Sequence, residues 1–482
     1  MSSIIEWKFP HPPRPEQVTL NEFAIKKEDS PVILMEAPTG VGKSPVCVSL
    51  AHHWSGIILT PYNALQDQYR RDWPAIPILK GAINYQCGKI TCKQGKAMKR
   101  KCDTCPYDIA KDRFKSGRAS ITNYAFWLTG KLETEHSTIL CDEGHKLHDA
   151  VINAYTFTFN AKVAGECKVK WMPPPEKDSE LMGFLEGYSA ALTTRAAQYA
   201  ETNPEFSIAA AQYAEACLNL IAALSRGEQV AIQCDLKMRT FAISPISCKG
   251  LWGETWKAMG KPRIVATSAT FLDPDYVAQW FGVRPAFIQL ESPFEPASRA
   301  VYYDPVANVK AADEESLGKV LRKIDTIMDE WKDERGLIHT PSYKMAEWLA
   351  TRSRHKHRFT QLTRDNKIDE LLVIHEKKPG SVLIGPNMME GLDLKDDLAR
   401  FNVITKMPFP PMVDPWVKKK NEVEPAWQPW HITWQLVQAC GRVVRHGDDW
   451  GVTYIIDSNF GWFYGKNERL FPGWFKQGLV EV

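Results

Sequence analysis

The eight residues APTGVGKS at positions 37–44 constrain the fold more than any other stretch of the sequence. They follow the apolar, β-branched run PVILMEA at 31–37 and precede a helical pattern from Ser44 to Trp54. Their spacing is that of a Walker A loop, except that Ala37 stands at the first glycine position. Such a loop between a strand and a helix predicts an α/β protein that binds phosphate at the helix N-terminus.

The residues of this loop have separate expected roles. Gly40 and Gly42 let backbone N–H groups approach the phosphates. Lys43 is expected to reach the β- and γ-phosphates, and Ser44 to ligate Mg²⁺. Pro45 falls in the first helical turn, where proline is tolerated. The loop therefore predicts a nucleoside triphosphate with Mg²⁺ as its ligand.

Strand-like runs alternate with helical patterns in two series, which predicts two domains that are each built on a parallel sheet. A length of 482 residues fits about three domains. Between residues 150 and 250 the sequence is Ala-rich with a helical period, so we expect an inserted helical lobe there. The predicted domains are 1–285, which includes that lobe, and 286–482. The strand-like runs are 31–37, 56–60, 137–141 and 263–270 in the first series and 336–340, 381–385, 402–406 and 452–457 in the second.

The composition is that of a globular protein. Apolar residues make up 44% and charged residues 24% of the chain, and no apolar run approaches the roughly 20 residues that a membrane span needs. The sequence does not start with a basic and then apolar leader. The 11 cysteines are odd in number and mostly scattered, which argues against a disulfide framework. We therefore expect a cytoplasmic protein in a reducing compartment, without a membrane partner.

Four cysteines nevertheless lie within 19 residues, at Cys87, Cys92, Cys102 and Cys105. In a reducing compartment such a cluster more often holds metal than a disulfide. On its own, the spacing C-x4-C-x9-C-x2-C favours zinc, the commoner occupant of four-thiolate sites, over other metal centres. Four unliganded thiols are a further alternative. A lobe of about 35 residues has too little apolar material to fold alone, so metal–thiolate bonds would fix its shape.

The segment that contains these cysteines is strongly basic. Residues 80–118 carry 11 Lys and Arg against three Asp, a local charge of +8, although the net charge of the chain is only +3. Lys99, Arg100 and Lys101 are consecutive within it. Such a patch is either a solvated face or binds a polyanion, for which nucleic acid is the natural partner.

Two adjacent carboxylates follow the strand-like run 137–141, in the sequence CDEGH. Beside a phosphate loop, Asp142 can hold Mg²⁺ through water and Glu143 can orient and deprotonate an attacking water. An acidic pair after a strand is otherwise usually a surface turn. Together with the Walker A loop, the pair predicts hydrolysis of the bound nucleotide.

The segment QACGRVVRHG at 438–447 opens within the amphipathic helical pattern ITWQLVQACGRVVR. Arg442 and Arg445 are three residues apart, so we expect them to share one helix face. Guanidinium groups presented by the second domain can meet the γ-phosphate held by the first, as arginine fingers do.

Together these motifs resemble the XPD/DinG family of iron-sulfur helicases in superfamily 2. The resemblance covers most of the two alternating domains. The chain departs from the family pattern in DEGH, where the family has DEAH, and in its short arch-like insertion. The matching pieces are RPEQ (14–17), LTPYNALQDQY (59–69), LKGAINYQC and CPYDIA around the cysteines, DEGHKLHD (142–149), TSAT (267–270), SPF (292–294), GLIHTPSY (336–343), EGLDL (390–394) and QACGRVVR (438–445).

The resemblance implies two RecA-like motor domains, with an iron-sulfur lobe at 80–118 and the arch-like insertion at 150–250 in the first. It implies ATP and Mg²⁺ as cofactors, and it favours a [4Fe-4S] cluster over zinc for the four cysteines. It also implies nucleotide contacts from residues outside the loop core. These residues are Gln17, Thr39, His145, Gly391, Asp393 and Gln438.

The implied activity is that of a monomeric, ATP-dependent DNA helicase that moves 5′ to 3′ on single-stranded DNA and opens forked or 5′-tailed duplexes. The alternative is a nucleotide-gated protein that clamps single strands without unwinding. Thr270 and Gln438 are candidates to relay the nucleotide state to the DNA track, with ordinary packing at the domain edge as the equal alternative for each. Packing beside the cluster is an alternative role for Tyr85. The implied DNA contacts are Thr60, Lys80, Tyr85, Lys99, Arg100, Lys101 and Asn123.

Overall fold

The structure is a computed structural model that describes most of the chain. Within the described residues, the chain forms two parallel sheets with flanking helices and two smaller lobes. The predicted α/β class with two parallel-sheet domains is confirmed. The described residues are 7–9, 11–98, 102, 104–129, 134–308, 313–389, 394, 396–444 and 448–482.

The first sheet has six parallel strands. Val32–Glu36 and Gly56–Thr60 are buried along their whole length, as strands covered by helices on both faces must be. The carboxyl ends of parallel strands meet at one edge, so the phosphate loop and the acidic pair emerge on the same side. In spatial order the strands are Ala286–Gln289, Val32–Glu36, Arg263–Ser268, Thr138–Cys141, Gly56–Thr60 and Ala119–Asn123.

The second sheet has seven parallel strands. Its four predicted strands are confirmed, and the three strands that the sequence did not predict include both edges of the sheet. In spatial order the strands are Phe359–Gln361, Val382–Gly385, Gly336–His339, Phe401–Ile404, Val452–Asp457, Val301–Ala307 and Leu479–Glu481.

Helices connect the parallel strands, as crossover topology requires. Those of the first domain are Pro15–Lys26, Lys43–Trp54, Asn63–Asp72, Tyr124–Thr129, Leu147–Ala154, Lys249–Ala258 and Pro274–Phe281. Those of the second domain are Glu314–Glu330, Tyr343–Arg352, Ile368–Lys377, Pro415–Val423, Trp427–Cys440, Asn459–Asn467 and Gly473–Gly478.

The insertion at 150–250 is not purely helical, so that prediction needs correction. Its two predicted long helices are present as Asp178–Gln198 and Pro204–Ser225, and a short helix, Ala161–Glu166, precedes them. An antiparallel sheet completes the lobe. The core of the lobe is formed by helices and sheet together, because buried aromatic residues of the sheet pack on the helices. The strands of this sheet are Phe157–Asn160, Thr240–Pro245 and Val230–Asp235.

The helix Pro204–Ser225 is long and apolar enough to cross a membrane by length and composition alone. The sequence prediction, which considered only unbroken apolar runs, did not anticipate this. Core helices of globular proteins meet the same criterion, and one third of its apolar window is buried in the structure. Its buried residues, among them Ala210, Cys217 and Leu220, belong to the core of the insertion. No other helix in the described ranges meets the criterion.

The cysteine-containing segment 80–118 forms a small lobe beside the first sheet. Gln94 Nε2 donates a hydrogen bond of 2.7 Å to Glu205 Oε1, which joins this lobe to the insertion. The elements of the lobe are the paired strands Gln86–Cys87 and Ile90–Thr91 and the helices Cys92–Ala97 and Pro106–Ser116.

Candidate nucleotide site between the two sheets

The phosphate loop has the backbone conformation that its glycines predict. Gly40 and Gly42 have φ values of 86° and 81°, in the left-handed region that favours glycine. Lys43 is 9% exposed, and its Nζ donates to the carbonyl oxygens of Ala37 and Pro38 at 3.1 and 3.4 Å. The ammonium group is thus held inside the curve of the loop, where the phosphates of a nucleotide would lie.

The helix Pro15–Lys26 braces this loop from outside. Gln17 Nε2 donates to the carbonyl oxygens of Val41 and Gly42 at 3.1 and 2.9 Å. Arg14 donates from its guanidinium group to the Gly40 carbonyl at 2.6 Å. Gln17, which was predicted to contact the nucleotide, therefore holds the loop in this structure. Arg14 is a bracing residue that sequence reasoning missed.

Asp142 lies directly opposite Ser44. Ser44 Oγ donates to Asp142 Oδ2 at 3.2 Å, and the carboxylate is only 3% exposed. Tyr69 also donates to Asp142 Oδ2, at 2.7 Å, and Thr267 donates to Oδ1 at 3.3 Å. Burial and the neighbouring Asp142 carboxylate raise the pKa of Tyr69 well above its usual value, so this phenol stays a donor. A hydroxyl beside a carboxylate at a phosphate loop fits the donor set of Mg²⁺.

Glu143 and His145 follow in a strained turn. Glu143 has a φ of 52°, which is uncommon for a residue other than glycine and is often found at functional sites. His145 Nδ1 lies 2.7 Å from Ser268 Oγ and 3.4 Å from Glu143 Oε2. Burial lowers the pKa of His145 well below its usual value, so the ring is neutral and orients its neighbours by hydrogen bonding rather than by charge.

Gly144 is required by close packing. A Cβ atom at this position would lie 2.7 Å from Ala266 Cβ and 3.1 Å from Phe271 Cζ. The alanine of the family pattern would therefore force its neighbours to shift in this chain.

The second domain meets the phosphate loop at the end of the helix Trp427–Cys440. Thr39 Oγ1 donates to the Gly441 carbonyl at 3.3 Å. The helix ends at Cys440, so the prediction that it continues through Arg442 is wrong. Arg442 lies in the turn that follows, is 8% exposed, and donates from Nε to the Met389 carbonyl at 3.1 Å.

Gln438 and Thr270 connect the two domains directly. Gln438 Nε2 donates to Thr270 Oγ1 at 2.6 Å. The sequence proposed both residues as relays, and the structure brings them together. Three other predicted site residues, Arg445, Gly391 and Asp393, lie outside the described residues.

The four predicted metal ligands lie together in the cysteine lobe. Cys87 Sγ is 3.2 Å from Cys102 Sγ, and Cys92 Sγ is 3.9 Å from Cys105 Sγ. The donor set fits a four-thiolate centre, since all four side chains are thiols from one short segment. Among the residues that the structure describes, however, no three His, Cys, Asp or Glu side chains are arranged to hold a metal ion. The thiols form two contacting pairs.

The predicted DNA contacts differ in accessibility. Thr60 is fully buried, so it offers no surface to DNA in this conformation. Lys80 forms an ion pair of 2.7 Å with Asp67, and its side chain is only 14% exposed. The Tyr85 ring packs edge-on against Tyr107 at 5.5 Å, which is the packing role named as its alternative. Lys99, Arg100 and Lys101 lie outside the described residues.

A cavity of about 680 Å³ lies between the first sheet, the cysteine lobe and the insertion. Asn123 lines it and donates to Asn63 Oδ1 at 3.2 Å. Tyr62 is 49% exposed and lines the same cavity. Lys146 reaches the cavity from the turn formed by residues 142–146, which we call the catalytic turn because it contains predicted catalytic residues. Sequence reasoning missed Tyr62, Asn63 and Lys146, although Tyr62 and Asn63 lie in the quoted LTPYNALQDQY piece and Lys146 in DEGHKLHD.

Comparisons with known proteins agree with this architecture. The sequence model of a family described as a helicase C-terminal domain matches residues 326–478. The regulator of telomere elongation helicase 1 homologs of Drosophila yakuba and Drosophila melanogaster are 30% identical over 155 residues, which is 28% of this chain and 15% of theirs. The Anopheles gambiae homolog is 37% identical over 84 residues, 15% of this chain and 8% of its own length. The matches thus span only a small part of these relatives.

Solved structures match over nearly the whole chain. An XPD helicase superposes with a TM-score of 0.65 at 15% identity, covering 97% of this chain and 99% of its own. Xpd4 from S. tokodaii superposes with a TM-score of 0.63 at 14% identity, covering 97% and 100%. At these identities the likeness shows the fold, which has two RecA-like domains as predicted.

Proposed function

We propose that this protein, which matches a helicase C-terminal family model over residues 326–478 and has the fold of XPD helicases, is a helicase of the XPD/DinG type. In this proposal it uses ATP hydrolysis to move 5′ to 3′ along single-stranded DNA and to unwind duplexes. The observation that carries the proposal is the contact between Ser44 and Asp142, beside Lys43 and Glu143, at an edge that the second domain touches through Gly441. A phosphate loop, an acidic pair and an arginine-bearing turn from another domain are the parts of a nucleoside triphosphatase.

In the proposed reaction each of these side chains has one task. Ser44 and Asp142 would hold Mg²⁺, which neutralises charge on the phosphate oxygens when it is bound. Lys43 stabilises negative charge on the same phosphates. Glu143 takes a proton from the attacking water, and Nδ1 of His145 lies 3.4 Å from Oε2 of that carboxylate.

Closure of the cleft between the two domains would bring further positive charge to the γ-phosphate. Arg442 and Arg445 belong to the turn and the segment after the helix that touches the phosphate loop, so a small rotation of the second domain can bring guanidinium groups to the γ-phosphate. Loss of the γ-phosphate removes the ligand that both domains contact, and the cleft reopens. Repeated closure would move one DNA-binding surface relative to the other.

The proposed partner is single-stranded DNA, with forked or 5′-tailed duplexes as substrates. The 680 Å³ cavity supports this, because exposed Tyr62 offers a ring for base stacking and the neighbouring asparagines offer polar contacts. Lys99, Arg100 and Lys101 would add phosphate contacts from the cysteine lobe. That the protein acts in the cytoplasm as a monomer stays a prediction from the sequence.

We assign the four cysteines to a [4Fe-4S] cluster, supported by their donor type, their proximity and the resemblance of the flanking sequence. Anaerobically purified protein should contain about four irons per chain with matching sulfide and absorb broadly in the visible range. Cys102→Ser should lose that iron, whereas Cys234→Ser, at an exposed cysteine of the insertion, should keep it. Stoichiometric zinc without iron would contradict the assignment.

The function is tested by ATP hydrolysis with and without single-stranded DNA and by strand separation on 5′- and 3′-tailed duplexes. We expect hydrolysis that the single strand stimulates, with unwinding of the 5′-tailed substrate only. The matched control is Glu143→Gln, which removes one proton acceptor and leaves the side-chain volume unchanged. It should lower the rate of ATP hydrolysis. DNA binding without unwinding by the active protein would favour the clamp, and exclusive unwinding of 3′-tailed duplexes would overturn the polarity.

A further inference from the structure

Trp434, on the helix Trp427–Cys440 of the second domain, packs against the catalytic turn of the first. Its ring centroid lies 5.1 Å from that of His145, with the planes at 49°. Lys146 Nζ lies 4.5 Å from the centroid of the same ring, in a cation–π contact. One indole therefore contacts two consecutive residues of the DEGHK sequence.

These two residues face different sites. His145 lies 3.4 Å from Glu143, the carboxylate proposed to activate water. Lys146 lines the 680 Å³ cavity proposed to hold the single strand. The Trp434 ring thus contacts the nucleotide side through one neighbour and the nucleic-acid side through the other.

Stacking rather than hydrogen bonding fixes the Trp434 ring. Trp434 is 3% exposed, and its Nε1 has no hydrogen-bond partner among the described residues. Trp430, one turn earlier on the same helix, is 4% exposed and donates from Nε1 to the Phe271 carbonyl at 2.8 Å. The Trp434 ring also stacks on Trp430, with centroids 5.9 Å apart and planes at 3°, and lies 5.6 Å from His431. Ring contacts therefore hold Trp434 between the two domains, whereas Trp430 is in addition tied to the first domain by its hydrogen bond.

We infer that Trp434 is a positioning residue that couples nucleic acid in the cavity to Glu143, with Lys146 as its contact on the cavity side and His145 as its contact on the nucleotide side. The inference rests on the proposed function. A single strand of nucleic acid that attracts the Lys146 ammonium group would change the contact between Lys146 and the Trp434 ring. A shift of the ring would then change its contact with His145. The test therefore measures how strongly nucleic acid changes the rate of ATP hydrolysis.

The measurement is the ratio of kcat for ATP hydrolysis with single-stranded DNA to kcat without it. Coupling between two sites usually spans about 5- to 150-fold, and we expect Trp434→Leu to lower the ratio by about tenfold while KM for ATP changes by less than about twofold. Trp434→Phe keeps an aromatic ring at this position and should therefore have the same ratio as the unmodified protein. If Trp434→Leu is too unstable to purify, Trp434→Met carries the same test with a more adaptable side chain.

Trp427→Leu is the matched control. Trp427 lies on the same helix with the same 3% exposure, and it stacks on His431 rather than on the catalytic turn. It should lower stability as much as Trp434→Leu but leave the ratio unchanged. A folded Trp434→Leu protein with the unmodified ratio, or an equal loss of the ratio in Trp427→Leu, would overturn the inference.

A double-mutant cycle separates coupling from direct DNA binding. Lys146→Met alone should lower the ratio, and adding it to Trp434→Leu should lower the ratio no further, because both changes break one contact chain. Additive losses would contradict the inference. If the unmodified protein shows no stimulated hydrolysis, the proposed function fails instead, so the two failures are distinguishable.

Discussion

The two halves of the interface between the motor domains are built differently. In the nucleotide half, Thr39 donates to Gly441 and Gln438 donates to Thr270, around a cavity of about 30 Å³. The aromatic half is defined by Lys420, Glu424, Trp427 and Trp430. Its two tryptophans are buried and pack in the same hydrophobic core as apolar residues of the first sheet.

The aromatic half also contains a buried charge. Lys420 is fully buried and its Nζ donates to Glu424 Oε2 at 2.7 Å, to the Ile246 carbonyl at 2.8 Å and to His148 Nε2 at 2.9 Å. Tyr276 adds a hydrogen bond of 3.0 Å to Glu424. One lysine of the second domain therefore contacts both the helix Leu147–Ala154 of the first domain and the insertion.

This difference predicts where the molecule moves. A few exchangeable hydrogen bonds of about 1 kcal/mol each hold the nucleotide half. Opening the aromatic half would expose several tryptophans and a lysine whose charge is satisfied only by its present partners. We therefore expect nucleotide-driven motion to open and close the first half while the second acts as a pivot.

The largest effect on stability is expected from Lys420→Met. Removing one partner of a buried ion pair typically costs about 3–5 kcal/mol. The Glu424 side chain is 13% exposed, so we expect the loss of its counter-charge to cost an amount at the lower end of that range. Denaturant unfolding measures the loss. Lys418→Met makes the same change at an exposed position two residues away and should leave the free energy of unfolding nearly unchanged. Equal effects of the two variants would mean that Lys420 is not part of a pivot.

In the nucleotide half, substitutions should change turnover rather than stability. Lys43→Ala and Glu143→Gln should each lower kcat for ATP hydrolysis by about 10²–10³-fold or more, because each removes a group that acts on the transition state. Glu143→Gln should still bind nucleotide, as measured by fluorescence titration with a labelled analogue. Normal turnover by either variant would remove the basis of the site assignment.

Stability should depend on pH through His339, a buried histidine of the second domain near Arg442. Burial, with the charge of Arg442 nearby, lowers the pKa of His339 to about 3. The unfolded chain, with a histidine pKa of about 6.5, then binds more protons than the folded chain below that pH, so stability falls as pH decreases. From pH 7 to pH 5 the loss from this group is about 2 kcal/mol.

The control for this pH effect is His339→Gln, which has no titrating group. Its free energy of unfolding should fall less between pH 7 and pH 5 than that of the unmodified protein. The comparison isolates His339 because other buried histidines, such as His145 and His148, contribute equally in both proteins. Identical pH dependence would show that His339 is not held neutral by folding.

A further effect on stability is expected for Gly144→Ala. The added Cβ would lie within 2.7 Å of Ala266 Cβ, and overpacking of this kind costs about 1–3 kcal/mol. Thermal unfolding measures the cost, and Gly183→Ala, where a Cβ meets nothing within 4 Å, is the control. An unchanged melting temperature for Gly144→Ala would mean that the catalytic turn tolerates the family residue.

The parts of the fold that the sequence predicts are those with strong local signals. The buried strands Val32–Glu36 and Gly56–Thr60 are unbroken apolar runs, and the loop between strand and helix has fixed spacing. The strand Ala119–Asn123 was missed because the sequence ASITN is short and partly polar. The strand Phe157–Asn160 was missed because a lobe with two long helices was taken as wholly helical.

The candidate site shows the same division. Residues 43, 44, 142 and 143 were predicted because motif spacing fixes them on one sheet edge, and the structure brings them together. The helix end at Cys440 was missed, although Gly441 is a recognisable stop signal. The burial of Thr60 and the stacking of Trp434 depend on packing between distant segments, which no local pattern records.

The contrast between the two halves is tested most directly by hydrogen–deuterium exchange of the unmodified protein, with and without a non-hydrolysable ATP analogue and Mg²⁺. We predict that peptides covering 37–44 and 438–444 become more protected when nucleotide binds. Peptides covering 415–430 should be strongly protected in both states and should not change. Exchange that changes equally in both halves, or only in 415–430, would contradict the account.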